Sequence, residues 1–247
     1  MPEIVFLGTN GWYDSPTGNT ISVLVKARDF QVVLDAGNGI AKLAEYADFS
    51  KPTFLFVSHF HLDHVEGLHT LCMHRGMPGG LTFLVEEGGT AHLSNLLRFP
   101  YTVALDELRF PVRVLEVPAR AGELPFRARF LPLHHVPVSQ GIRMEVDGRT
   151  IAFCLDTGYS ENAVKLCAGA DLAILECTLP TGTAFEHHLT PQRCARIARE
   201  ARPGMLALTH FEARSFPTLE SRAEAFREVR ALFPDTVMSA DGLRLPL

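Results

Sequence analysis

The chain has no CxxC pair, no apolar run long enough to span a bilayer, no excess of basic charge and only one tryptophan. Each absence excludes something. Cys72, Cys154, Cys167, Cys177 and Cys194 are odd in number and widely spaced. That argues against a disulfide scaffold and reads as buried thiols in a reducing compartment. No stretch approaches the roughly 18 apolar residues of a membrane span. Met1-Pro2-Glu3 leads directly into an apolar strand, without the basic and apolar segments of a secretory leader, so a cytoplasmic protein is expected. Lysine and arginine number 23 against 28 aspartates and glutamates, a formal net charge of −5. A generic nucleic-acid binder is usually basic, although Arg127, Arg129 and Arg143 crowd one region.

What is present is an ordinary globular composition: 247 residues, 47% hydrophobic and 21% charged. A chain of this size buries about 70–75% of its unfolded surface and needs no staple. No linker or low-complexity segment divides it, so residues 1–247 are expected to form a single domain. Strands are expected at Ile4–Leu7, Thr20–Val25, Gln31–Leu34 and 53–58, from apolar runs and period-two alternation. Helices are expected over 38–46, 64–76 and Ala91–Arg98. Further strands are Leu81–Val85, Val112–Val117 and Phe126–Leu133, the last two around a turn at Ala121-Gly122. Gly141–Val146 and Thr150–Leu155 read as a hairpin, with Asp147-Gly148 as its two-residue tip. A helix near 161–168, a strand at Leu172–Leu175 and a helix at Pro191–Arg202 follow. Thr190 is that helix's N-cap and Pro191 its first residue. A strand at Met205–Leu208 and an amphipathic helix at Thr218–Leu232 complete the reading. Two strand-rich halves, each carrying helices, imply two sheets with helices outside. The apolar loop Leu68 to Met77 is a candidate homodimer surface.

The chemistry gathers where strands end. Asp35, His59, His134, Asp156, Glu176 and His210 each follow an apolar strand. Ligands in such positions sit on rigid elements while loops shape a pocket. The densest signal is His59-Phe60-His61-Leu62-Asp63-His64, three imidazoles and a carboxylate within six positions. Burying them without partners would cost several kcal/mol each, and a metal removes that cost. His59 and His61 are two apart and point the same way from an extended segment. Asp63 and His64 reach a second position. One of His134 and His135 completes the first set, but spacing does not choose between them. Asp156 can bridge two cations, and His210 completes the second set. Asp35 is expected to hydrogen-bond a ligand imidazole or the turn backbone. Histidines 187 and 188 precede the 191–202 helix, where one of them could give a proton to a leaving oxygen. Glu176 could ligate, orient or cap. Trp12 and Tyr13, in the first glycine-rich loop, could edge a pocket.

These residues resemble the metallo-β-lactamase superfamily, whose HxHxDH signature reads here as His59 to His64. Phe6-Leu7-Gly8-Thr9, His134-His135-Val136-Pro137 with Gly141-Ile142-Arg143, and Asp156-Thr157-Gly158 match its ribonuclease Z-like phosphodiesterase branch. So do Glu176-Cys177-Thr178, His188-Leu189-Thr190 and Leu208-Thr209-His210-Phe211. The likeness covers nearly the whole chain. It implies an α+β fold, a four-layer αββα sandwich, around two divalent metal ions, usually zinc, with manganese or iron as alternatives. It assigns His59, His61 and His134 to one metal, Asp63, His64 and His210 to the other, and Asp156 as the bridge. A water or hydroxide between the metals becomes the nucleophile, held and polarised by Asp63 and Asp156. His188 is the general acid, and Glu176 mainly supports it.

One departure bears on substrate. The ribonuclease Z enzymes that cut tRNA precursors usually carry a long arm between the segment matching 134–143 and the bridging aspartate. Only thirteen positions separate Arg143 from Asp156 here, and they already read as a hairpin. The cysteine-rich metal motif of the phosphonate-pathway cyclic phosphodiesterases is also missing. The expectation is therefore a metal-dependent phosphodiesterase acting on cyclic nucleotides or other small phosphodiesters. Alternatives are a tRNA 3′-processing endonuclease that binds RNA, a lactone or thioester hydrolase, and a non-enzymatic metal-stabilised sensor or scaffold.

Overall fold

Alternating side chains on extended segments are divided between two apolar cores, and that division sets the layers. The computed structural model describes residues 1–74 and 76–247. Its strands are β1 (Glu3–Gly8), β2 (Asn10–Gly11), β3 (Ser22–Lys26), β4 (Gln31–Leu34), β5 (Thr53–Phe56), β6 (Leu81–Val85), β7 (Val112–Glu116) and β8 (Ala128–Pro132). They continue with β9 (Gln140–Val146), β10 (Arg149–Cys154), β11 (Leu172–Glu176), β12 (Met205–Thr209), β13 (Phe211–Glu212), β14 (Thr236–Met238) and β15 (Arg244–Pro246). The α-helices are α1 (Leu43–Tyr46), α2 (Leu62–Val65), α3 (Gly89–Leu96), α4 (Glu161–Cys167), α5 (Pro191–Ala201) and α6 (Leu219–Leu232).

Seven strands form one sheet, in the order β15-β1-β3-β4-β5-β6-β7, and six form the other, β14-β12-β11-β10-β9-β8. Ile4 and Phe6 of β1, Val23 and Val25 of β3, and Phe54 and Phe56 of β5 meet Phe130, Ile142, Met144, Ile151 and Phe153 of the second sheet in the central core. Their neighbours Val5, Leu7, Leu24 and Leu55 face the opposite way, against Ile40, Leu43, Leu68 and Leu93. On the second sheet's outer face, Ala152, Cys154, Ala173 and Leu175 pack against Leu166, Cys194, Ile197, Ala198 and Val229 of α4, α5 and α6. This is the expected αββα sandwich, with period-two strands buried on both faces. Deleting one central ring, as in Phe153→Ala, should cost about 3–5 kcal/mol.

Three local readings need correction. Strands β7 and β8 do not pair around Ala121-Gly122; the first closes one sheet and the second edges the other. The expected helix over 38–46 is a 3-10 turn at Asn38–Lys42 followed by α1, and that over 64–76 is α2 followed by a 3-10 run at Glu66–Met73. Residue 75, within the second, lies outside the described residues. Leu68, Leu71 and Met77 are buried in the outer core rather than presented as a dimer surface, whereas Met73 is exposed.

Other readings hold. The 141–155 hairpin pairs Val146 with Arg149, and Asp147 and Gly148 both take positive φ at its tip, as a type I′ turn requires. No arm interrupts it. Pro191 opens α5 after Thr190. All five cysteines are free thiols, and all but the half-buried Cys72 are buried. Arg129 and Arg143 face each other across β8 and β9. Arg143 donates to the carbonyls of Leu166 (2.6 Å) and Ala168 (2.9 Å) at the end of α4, so its charge caps a helix. Among the described residues, no helix is long and apolar enough to cross a membrane.

Candidate metal centre

The loops that leave β4, β5, β8, β10, β11 and β12 open at one end of the sandwich, and their first polar residues converge there. Asp35, Asp156 and His210 leave their strands with φ of 58°, 47° and 54°, and Trp12 holds 69°. Such left-handed angles are strained for non-glycine residues and cluster at functional sites. Ligand atoms of His59, His61, His135 and Asp156 lie within 4.8 Å of one another, as do those of Asp63, His64 and His210. Asp156 is shared between the two groups. Its Oδ2 is 3.6 Å from Nε2 of His59 and 3.6 Å from Nε2 of His135. Its Oδ1 is 3.1 Å from Nε2 of His64 and 3.2 Å from Nε2 of His210. Asp63 Oδ2 lies 3.3 Å from His210 Nε2 and accepts the Trp12 backbone N–H at 2.7 Å.

Outer partners fix four of these rings, His59, His64, His135 and His210, the same way round. His64 Nδ1 is 2.8 Å from Asp35 Oδ2, and a carboxylate only accepts, so the proton sits on Nδ1. His135 Nδ1 donates to the Pro137 carbonyl at 3.0 Å. Thr178 spends its own proton on the His210 carbonyl (3.0 Å) and accepts from His210 Nδ1 (2.9 Å). Ser58 donates to Asp35 and lies 3.2 Å from His59 Nδ1. In each ring the Nε2 lone pair is left facing inward, as metal-ligating histidines require. Gly11 lets the first loop close over His210, because a Cβ there would lie 2.6 Å from its ring.

The donor set fits divalent cations, and two orphaned atoms show it. His59 Nε2 and Asp156 Oδ1 are buried without a hydrogen-bond partner, an arrangement too costly to keep unless something else satisfies it. His64 Nε2 and His210 Nε2 face each other at 3.1 Å. Electrostatics point the same way. Burial opposes charge on His64, yet Asp156, Asp35 and Asp63 outweigh it and push the ring well above its ordinary range. Burial would raise Asp156, but His210, His64 and His59 hold it well below the carboxylate range. Asp63 is lowered likewise by His64 and His210. Burial keeps His59 and His135 low, in the neutral form that donates a lone pair. A buried centre with this balance calls for positive charge.

His134 is not in this cluster, contrary to the assignment that the resemblance favoured. Its backbone is held on both sides: its N–H reaches Thr157 Oγ1 at 3.1 Å, and its carbonyl accepts from Gly158 at 2.8 Å. That clamp turns its exposed ring outward to stack on His187 at 4.9 Å, and His135, the next residue, turns inward. Every other residue assigned to the metals or to proton transfer is brought together, whereas Tyr13 and His187 are not among the residues that line the cavity. His188, Glu176 and Asp156 form a third group. Glu176 is fully buried, accepts from the backbone of Thr157 (2.6 Å) and Leu189 (3.1 Å), and holds His188 Nδ1 at 3.0 Å. Burial disfavours the His188 imidazolium, but Glu176 outweighs it and raises the ring to about 9.

Asp35 apart, sequence reasoning missed the outer layer. Thr178 and Ser58 carry no spacing signal, being single hydroxyls beside ligands. Arg222 of α6 is fully buried. It donates to Asn10 Oδ1, to Thr17 Oγ1 at 2.6 Å and to Thr9 Oγ1 at 3.2 Å, pinning the loop that carries Gly11 and Trp12. Phe211, next to His210, pairs with Asn10 through β13 and β2.

Residues 31–211 match the Beta-lactamase superfamily domain. The chain belongs to this superfamily. Ribonuclease Z from Prochlorococcus marinus (strain MIT 9313) is 27% identical over 306 aligned positions, covering 98% of this chain and 96% of that protein. Because the chain has 247 residues, that relative carries several tens of residues with no counterpart here. Among solved structures, the metallo-beta-lactamase fold protein YhfI from Bacillus subtilis superposes with a TM-score of 0.81 at 20% identity, covering 99% of this chain and 98% of that one. A diphosphatase from the PhnP family gives 0.77 at 18%, covering 100% and 98%. At these identities the structures establish the metallo-β-lactamase fold.

Proposed function

We propose that this superfamily member is a phosphodiesterase that uses two divalent cations, zinc by preference, on small phosphodiesters. The observation that carries this reading is the Asp156 carboxylate, whose two oxygens face separate imidazole-rich groups. His59, His61 and His135 would hold one cation, and Asp63, His64 and His210 the other, with Asp156 shared. When bound, such a pair supplies an acidified water and neutralises charge on the phosphoryl oxygens. Asp35, Thr178, Ser58 and the Pro137 carbonyl keep the ligand rings aimed. Asp63, tied to Trp12, and Asp156 orient the attacking water. His188 carries its proton on Nε2 towards the cavity and delivers it to the leaving alkoxide. Glu176 holds that ring and keeps it charged until the transfer.

The relatives named Ribonuclease Z support phosphodiester chemistry. The short β9–β10 hairpin and the net charge of −5 favour a small substrate over tRNA. The test is turnover of metal-loaded protein on bis-p-nitrophenyl phosphate, cyclic nucleotides, a tRNA precursor, lactones and thioesters, with and without chelator. Chelator-sensitive cleavage of the small phosphodiesters, with the tRNA precursor intact, is expected. Lactone or thioester cleavage without phosphodiester cleavage would overturn the proposal.

A further inference from the structure

Beyond the metal ligands, the cavity above the centre has an unusual wall. It encloses about 420 Å³ and is lined by Trp12, Leu62, Val136 and Phe185 over a floor of His61, Asp63, His135, Asp156 and His188. No lysine or arginine is among these lining residues. Trp12, Leu62, Val136 and Phe185 are 62%, 66%, 69% and 45% exposed. Four large apolar side chains gathered at one mouth mark a contact surface rather than scattered exposure. The backbone of Trp12 and the ring of Phe185 are held in place. Trp12 sits in a left-handed backbone conformation with its N–H on Asp63. Phe185 lies nearly parallel to the His188 ring, 24° at 5.6 Å. Arg193 braces that segment from behind by donating to the carbonyls of Phe185 and of His188 (2.9 Å).

We infer that the substrate carries a flat aromatic group beside its phosphate, received by Trp12 and Phe185. This rests on the phosphodiester reading above. The metals and His188 account for one phosphate on the cavity floor. A polynucleotide would bring further phosphates, which need lysine or arginine along their path. Among the described residues the mouth offers none, but it offers two aromatic side chains, and a base or aryl ring stacks on these without needing a charged partner. A cavity of this size suits a small ligand. The shared chemistry is an aromatic ring one short tether from phosphate, in a nucleoside ester or an aryl ester.

Trp12 is the only tryptophan in the chain, so its emission reports on this mouth alone. The experiment is calorimetric titration of metal-loaded protein with methyl phosphate, phenyl phosphate, adenosine monophosphate and inorganic phosphate, with Trp12 fluorescence followed in parallel. Stacking of the usual strength predicts phenyl phosphate binding about 5- to 150-fold tighter than methyl phosphate, and quenching Trp12. A matching gain for adenosine monophosphate supports nucleoside esters; a gain for phenyl phosphate alone supports aryl esters. Trp12→Leu and Phe185→Leu should each shrink the ratio of phenyl to methyl phosphate affinity, and Trp12→Phe should restore most of it. Equal affinity for methyl and phenyl phosphate would overturn the aromatic site and leave phosphodiester hydrolysis standing. Failure of every phosphate to bind would overturn both.

Discussion

A local backbone clamp decides which of two adjacent histidines faces the cluster. His134 and His135 have the same side chain, and only the backbone clamp between His134 and residues 157–158 separates them. His135→Ala should therefore release metal and lower kcat/KM by upwards of about 100-fold, more than loss of an outer partner costs. His134→Ala should leave both nearly unchanged. Metal analysis and steady-state rates on the two variants check this, and the reverse pattern would reassign the ligand. His188 gives a second prediction. Glu176 raises it to about 9, so the protonated ring is the resting form at neutral pH and activity falls as pH climbs through its pKa. Glu176→Gln removes the charge that raises it, and the alkaline limb of the pH–rate profile should move to lower pH. The same pair affects stability in metal-free protein. A histidine raised on folding stabilises fully below its unfolded value of about 6.5, and that contribution is lost as pH rises through about 9.

At the scale of elements, the ligands come from strand ends, but their aim comes from what packs behind them. Arg222 shows the difference. It belongs to α6, which contributes no ligand, yet it joins that helix to the loop over His210. Burial lowers its pKa only to about 10, so it remains charged at neutral pH. Arg222→Met should loosen the 9–18 loop, weaken metal binding at Asp63, His64 and His210 by about 10–100-fold, and shift Trp12 emission, with Arg222→Lys intermediate. Metal titration of variants whose melting is matched tests this; unchanged affinity in Arg222→Met would remove Arg222 from the account. The strands and α4 to α6 were legible because apolar alternation, turn pairs such as Asp147-Gly148 and helix starts such as Thr190-Pro191 are local signals. The partition of β7 and β8 between sheets was not, because sheet membership is set by long-range pairing that leaves no mark in either strand. Nor was the 3-10 path of 66–73, which follows from packing Leu68 and Leu71 onto the first sheet.

For the whole molecule, two sheets bring residues up to 175 positions apart, from Asp35 to His210, onto one carboxylate-rich centre. Asp35, Asp63, Asp156 and the buried imidazoles of His59, His64, His135 and His210 then share a space whose proton balance is unfavourable without cations, with His61 at its open edge. Ion binding should accordingly couple to folding, and chelation should lower the melting temperature, in proportion to the affinity that the folded state alone provides. A melting temperature indifferent to chelator would mean the cluster is satisfied without metal. The same geometry explains why motif reading reached so much of the site: HxHxDH and the isolated Asp156 and His210 are ligand types with few cheaper reasons to be buried. The most direct test of the account is the ratio of divalent metal to chain, measured by mass spectrometry on the wild-type protein and on Asp156→Ala. About two ions per chain are expected, falling to one or fewer when the shared carboxylate is removed. A single ion in the wild-type protein, or two retained without Asp156, would contradict it.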